Sequence, residues 1–175
     1  MAVIFDLEGV LIDNRERIKY ALSKINNNIT SPEDLSHTEK TLFWRIYFDA
    51  KLAEKMDKVF MTGISELLKR SKKGFRIFIV SGSPKEVVLI HMRKIRKALQ
   101  QFSSDISIDD IIWRPSGDRR KAEEFKKSVV RNIILFRGLT VEEVHDDNPA
   151  VIESFKSIAR KRYLWKDGEI IAVFT

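Results

Sequence analysis

The chain has 175 residues, 43% hydrophobic and 33% charged, a balance that builds one ordinary domain with a buried core and excludes wholesale disorder. It has no cysteine and only three histidines, which excludes disulfides, thiolate catalysis and cysteine-based zinc sites and disfavours a histidine-rich metal centre. The 32 basic and 25 acidic residues leave a net charge of +7, a surface suited to phosphorylated ligands or polyanions. No apolar run is long enough to span a bilayer, so no membrane partner is expected. Met1 to Val10 is apolar but carries Asp6 and Glu8, without a basic leader or a small-residue cleavage site, so the expected location is the cytoplasm.

The first expected element is Ala2-Val3-Ile4-Phe5, a continuous β-prone run that suits a strand buried on both faces of a parallel sheet. Ile18, Ala21, Leu22 and Ile25 predict a helix over Asn14–Ile25, broken by Asn26-Asn27-Asn28. Ser31-Pro32-Glu33-Asp34 reads as a second helix start. Thr41 to Met56 reads as a third helix, whose rings Phe43, Trp44, Tyr47 and Phe48 are mostly assigned to a core. Ile64, Leu67 and Leu68 form a helical face that ends before Gly74.

A strand follows over Phe75–Val80, ending at Ser81-Gly82-Ser83-Pro84, and then a basic helix over Val87–Phe102. Ile111-Ile112-Trp113 is a candidate strand, Arg119–Leu135 a helix, and Val141–His145 a strand ending in Asp146-Asp147. Val151–Arg160 is expected to be helical. Asp167-Gly168, between Tyr163-Leu164-Trp165 and Glu169–Phe174, signals a hairpin. The alternation predicts a doubly wound α/β parallel sheet formed by residues 1–13 and 59–175, with a helical insertion at 14–58.

In such a sheet, sites form at the carboxyl ends of strands. Three strand ends carry Asp6 with Glu8, Ser81, and Asp146 with Asp147, and the helix before the last of them offers Lys126. Four gathered carboxylates repel one another, and a divalent cation relieves the conflict. All-oxygen ligands with room for water and phosphate suit magnesium. A carboxylate can also attack phosphorus to give an aspartyl phosphate, with the lysine offsetting charge.

With these motifs in order, the chain resembles the haloacid dehalogenase superfamily, whose commonest members are phosphatases. The carriers are Asp6-Leu7-Glu8-Gly9-Val10, Phe78-Ile79-Val80-Ser81-Gly82-Ser83, Lys126 with apolar residues three, four and seven positions later, and Val144-His145-Asp146-Asp147. The resemblance implies that Asp6 is the nucleophile and a magnesium ligand. It implies that Glu8 is the general acid/base, its backbone carbonyl on the metal, and that Ser81 binds the phosphoryl oxygens. Lys126, with Lys121 as the second choice, would offset charge. Asp146 would bind the metal directly, and Asp147 through water or by orienting its neighbours.

Glu8 stands where the pattern has Asp and is one methylene longer, so it reaches further into the site. It keeps a carboxyl for hydrolysis. The insertion occupies the place of the superfamily's helical cap, and the resemblance makes Arg15, Arg17, Lys19, Trp44 and Arg45 candidates to touch the leaving group. A narrower similarity, carried by Arg114-Pro115-Ser116-Gly117-Asp118-Arg119-Arg120-Lys121, Lys126 and His145-Asp146-Asp147, is to the phosphatase domain of polynucleotide kinase-phosphatases, which act on nucleic-acid 3′-phosphates. That family often has Arg where Ser83 stands, and this chain has no kinase P-loop. A small-molecule phosphate ester is the default substrate and a nucleic-acid end the alternative. A phosphotransferase and a non-catalytic basic binding protein are the other classes.

Overall fold

A computed structural model describes residues 1–102 and 106–175. Its centre is a six-stranded sheet. Strand β1 (Ala2–Phe5) lies between β4 (Arg76–Val80) and β6 (Val141–Asp146), with β5 (Ile108–Ile112) beyond β4. Strands β7 (Ala159–Lys166) and β8 (Glu169–Phe174) lie beyond β6. The first five run parallel, and β8 closes the edge antiparallel to β7. The doubly wound expectation holds.

Each strand residue faces opposite to its neighbour, which explains the unbroken apolar run of β1. Val3 and Phe5 pack with Ile77 and Ile79 under α4 (Met61–Lys72) and α5 (Lys85–Gln100). Ala2 and Ile4 pack with Phe78 and Val80 on the other face. That face is covered by α6 (Ala122–Val129), its π-helical continuation Val130–Leu135, and α7 (Pro149–Ser154).

Between β2 (Ile12–Asp13) and β3 (Lys58–Val59), which pair antiparallel, the chain is helical. It forms α1 (Arg15–Ser23), a 3-10 turn at Pro32–Asp34, α2 (His37–Tyr47) and α3 (Ala50–Met56). Ala21, Leu22, Leu35, Phe43 and Tyr47 give this segment its own small core. Trp44 departs from the expected core and is 44% exposed.

Several expected elements differ in extent; the candidate strand Ile111–Trp113 is β5 over Ile108–Ile112, and the helix start at Ser31 is only the 3-10 turn. The helix over Thr41–Met56 is two helices, because Phe48 ends the first and the Asp49 carboxylate caps the second by accepting from Lys51 N at 2.8 Å. The helix over Arg119–Leu135 starts only at Ala122 and widens from Val130. The helix over Val151–Arg160 stops at Ser154, because Ala159 and Arg160 already belong to β7. The hairpin stands where Asp167-Gly168 placed it. Both residues take positive φ, 50° and 80°, as a two-residue turn of this hand needs. Among the described residues, no helix is long and apolar enough to cross a membrane.

Candidate active site at the carboxyl edge of the sheet

Parallel register sets the site. Phe5 lies beside both Ile79 and His145, so the residues at the carboxyl ends of β1, β4 and β6 reach the same edge of the sheet. Those residues are Asp6, Ser81 and the Asp146-Asp147 pair. The Asp6 amide donates to His145 O at 2.9 Å and the Ser81 amide to Ile112 O at 2.9 Å, which holds both loops to the sheet.

Lys126, on α6, is buried between two of these carboxylates. Its Nζ lies 2.8 Å from Asp6 Oδ2 and 2.7 Å from Asp146 Oδ2. Burial alone would lower the ammonium pKa, but Asp146 and Asp6 hold it above its ordinary value. Lys121 lies at the start of α6, exposed on the rim of the crevice. Of the two lysines, Lys126 is the one in contact with Asp6.

Oxygens of Asp6, Asp146 and Asp147 lie within 4.8 Å of one another. Burial raises the Asp6 carboxyl well above its usual range; Lys126 opposes this, and Asp146, Asp147 and Glu8 add to it. Asp147 is pushed up to about 7, by burial first and then by the charge of Asp146. Asp6 Oδ1 is buried with no hydrogen-bond partner. Asp146 is steadied through its Oδ1, which accepts from the Asn148 amide at 3.0 Å. Three crowded oxygen donors and an orphaned carboxylate oxygen fit a hard divalent cation.

Glu8 lines the same crevice but stands outside this trio, held by the serines at the end of β4. Ser81 Oγ donates to Glu8 Oε2 at 3.2 Å, and Ser83 Oγ donates to Oε1. Burial would raise this carboxyl, but His91, Arg17 and the Ser83 hydroxyl hold it below its ordinary value. Ser83 was not singled out as a site residue in the sequence, although its place two residues after Ser81 was visible.

The arginine at position 17 requires a correction. Expected to reach a leaving group from the insertion, it is wholly buried and paired with Asp57. Arg15 is bound to Asp13, its Nη2 2.7 Å from Oδ2, and Lys19 lies 3.1 Å from Glu16. Arg45 is exposed on α2. Trp44 does line the crevice, with Tyr47 and Phe48.

The crevice over Asp6 has a volume of about 650 Å³. Its opposite wall is the segment from Arg114 to Lys121. Arg114 fastens this segment to the second strand end, donating to Gly82 O at 3.0 Å and to Arg120 O at 2.8 Å. Asp118 accepts from Arg120, and that contact above all lowers its pKa to about 2. The wall is therefore a braced basic rim.

No family model and no curated protein sequence matches the chain. Solved structures do. A chain of the Pnkp1/Rnl/Hen1 complex superposes with a TM-score of 0.64 at 19% identity, over 97% of this chain and 47% of that one. A second structure of that assembly, described as an RNA repair complex, gives 0.62 at 18%, over 97% and 43%. The chain thus spans less than half the length of these two. A hydrolase from Pseudomonas syringae gives 0.60 at 15%, over 89% and 79%. A protein described as a predicted phosphoglycolate phosphatase from Haemophilus somnus gives 0.58 at 15%, over 98% and 89%.

The chain shares its α/β fold with these hydrolase and phosphatase structures. The resemblance drawn from the four motifs therefore holds at the level of the fold. In this chain the strand ends bring Asp6, Asp146 and Asp147 to one crevice.

Proposed function

We propose that the protein is a magnesium-dependent phosphomonoester hydrolase working through an aspartyl phosphate on Asp6. The observation that carries this reading is Lys126 bridging Asp6 and Asp146 while Asp6 Oδ1 stays buried without a partner at the crevice. A carboxylate held by one oxygen and free at the other is arranged to attack. Asp6, Asp146 and Asp147 would hold magnesium, with the Glu8 backbone carbonyl as a further ligand. The cation supplies positive charge that lets a phosphate dianion approach Asp6.

In the first half-reaction a carboxylate oxygen of Asp6 bonds to phosphorus as the ester P–O bond breaks, and Glu8 gives its proton to the departing oxygen. In the second, Glu8 takes a proton from water, the water oxygen bonds to phosphorus, and the bond to Asp6 breaks. Inorganic phosphate and Asp6 are regenerated. The Ser81 hydroxyl and its neighbouring amides receive the phosphoryl oxygens. Glu8 is held toward its ionised form, the form the second half needs. Esters with weakly basic leaving groups, which need little protonation, are therefore the better substrates.

The insertion at 14–58 acts in this reading as a cap, presenting Trp44, Tyr47 and Phe48 to the leaving group. A small phosphate ester is the default substrate. The basic rim of Arg114, Arg119, Arg120 and Lys121 favours a second reading, a nucleic-acid end carrying a 3′-phosphate. Phosphate release from a panel of esters, with and without magnesium, tests the activity. Oligonucleotides ending in a 3′-phosphate, assayed at rising salt, separate the two substrates.

A further inference from the structure

Glu8 has one more rotatable bond than the aspartate expected at its position, so its carboxyl needs more contacts to stay in one place. The serines hold it from one side. On the other side, Arg17 Nη2 and His91 Nδ1 each lie 3.7 Å from the same oxygen, Glu8 Oε1. Both nitrogens are buried; Nη2 is also ion-paired with Asp57, and Nδ1 has no other hydrogen-bond partner.

Arg17 stands on α1 and His91 on α5, and one residue joins them. Asp57 Oδ1 accepts from Arg17 Nε at 3.0 Å. Asp57 Oδ2 lies 2.8 Å from Arg17 Nη2 and 2.6 Å from His91 Nε2. A carboxylate has only acceptors to offer, so Nε2 of His91 donates to Asp57. That bond leaves Nδ1 3.7 Å from Glu8 Oε1, a contact that attracts the carboxylate when Nδ1 also carries a proton. Arg17 also donates to Tyr47 O at 2.7 Å, with its guanidinium 4.0 Å over the Tyr47 ring. The Lys94 ammonium donates to Asp57 O at 2.6 Å. The cluster therefore ties α1, α2 and the end of α3 to α5, and faces Glu8.

Stability alone explains this cluster poorly, because apolar side chains of similar volume commonly serve a buried site as well as ion pairs do. What apolar residues could not reproduce is two polar nitrogens within 3.7 Å of one oxygen of Glu8. We propose that Asp57 is a positioning residue for Glu8, acting through Arg17 and His91 to hold its carboxyl at the crevice while the helical insertion is packed on the core. The kinetic consequence rests on the phosphatase reading. The coupling itself can be measured without turnover.

The first test is nuclear magnetic resonance of the full chain, following the Arg17 Nε–H and the His91 ring. Glu8→Gln is expected to move both sets of signals. Signals that stay in place overturn the coupling. The second test is pre-steady-state hydrolysis of an aryl phosphate by Asp57→Asn. An aryl leaving group needs little protonation, so formation of the phosphoenzyme should stay near the wild-type rate. Its breakdown, which needs Glu8 aimed at water, should slow by about a hundredfold and produce a burst of the aryl alcohol. Equal slowing of both steps, or of neither, overturns the positioning role. His91→Gln, which leaves the Arg17–Asp57 pair intact, should show the same split more weakly if Asp57→Asn does not fold. Wild-type protein that releases no phosphate refutes the phosphatase reading, and the resonance test then decides the clamp alone.

Discussion

Gly9 makes room for Asp147. A β-carbon at position 9 would overlap the Asp147 carboxyl and lie 2.8 Å from Asp147 Cβ, and the Gly9 backbone has φ +80°. Gly9→Ala therefore meets two penalties, strain of about 1–3 kcal/mol from the left-handed backbone and displacement of a carboxylate from the acidic trio. The expected result is a folded protein of lower stability with phosphate release down by about a hundredfold, since ångström-scale misplacement costs that much. Chemical denaturation and initial rates, run on the same preparation, check both parts.

Lys126 separates two buried carboxylates, so its removal leaves like charges facing each other. Lys126→Met is expected to lose about 3–5 kcal/mol at pH 8, the usual consequence of breaking a buried pair from one side. The loss should shrink as pH falls, because Asp6, raised above its ordinary pKa by burial, takes up a proton and the repulsion ends. Magnesium should recover part of the loss at pH 8, because a ligand that binds only the folded state stabilises it. Urea midpoints at pH 8 and at lower pH, with and without magnesium, measure this.

A second buried network predicts acid sensitivity away from the crevice. Burial would raise the Glu143 carboxyl. Hydrogen bonds from His145 and Arg70, and the charge of Arg70, instead lower it from 4.5 to about 2. A carboxyl depressed in the folded state contributes stability that is complete above its unfolded pKa and is lost as pH falls through the folded one. Wild type should thus lose stability relative to Glu143→Gln between about pH 4.5 and 2, and the two curves should converge near pH 2. Parallel curves over that window would show that the carboxylate contributes nothing there.

The ends of β1 and β4 were legible in the sequence because each is an apolar run stopped by Asp6 or Ser81, and that of β6 because its short β-prone stretch runs into the acidic pair Asp146-Asp147. The β7–β8 turn was legible for the same reason at Asp167-Gly168. The end of α7 was not. Helical spacing runs through Ile158, but β7 pairs with β6 from Ala159 and with β8 from Arg162, and that pairing is not a local property. The strands β2 and β3 have two residues each, too short for any periodicity. The contacts of Arg17 and His91 with Asp57 cross 40 and 34 residues. Nothing in the sequence near Arg17 distinguishes a buried arginine from a surface one, so it reads there as a candidate to touch the leaving group.

Magnesium binding can be checked apart from turnover. The cation is expected to raise the melting temperature of wild type, whose Asp6, Asp146 and Asp147 oxygens lie within 4.8 Å of one another. Asp146→Ala should remove that rise. Calcium, which accepts the same oxygens in looser geometry, should also stabilise the fold without supporting phosphate release.

The most direct measurement is phosphate release by wild type and Asp6→Asn, side by side, across aryl, sugar, serine and nucleotide phosphates and oligonucleotide 3′-phosphates, each with and without magnesium. The account predicts release by wild type that requires magnesium, is fastest on aryl esters among the small substrates, and disappears in Asp6→Asn while the variant stays folded. Asp6→Asn turning over at the wild-type rate, or wild type releasing no phosphate from any ester, would contradict it.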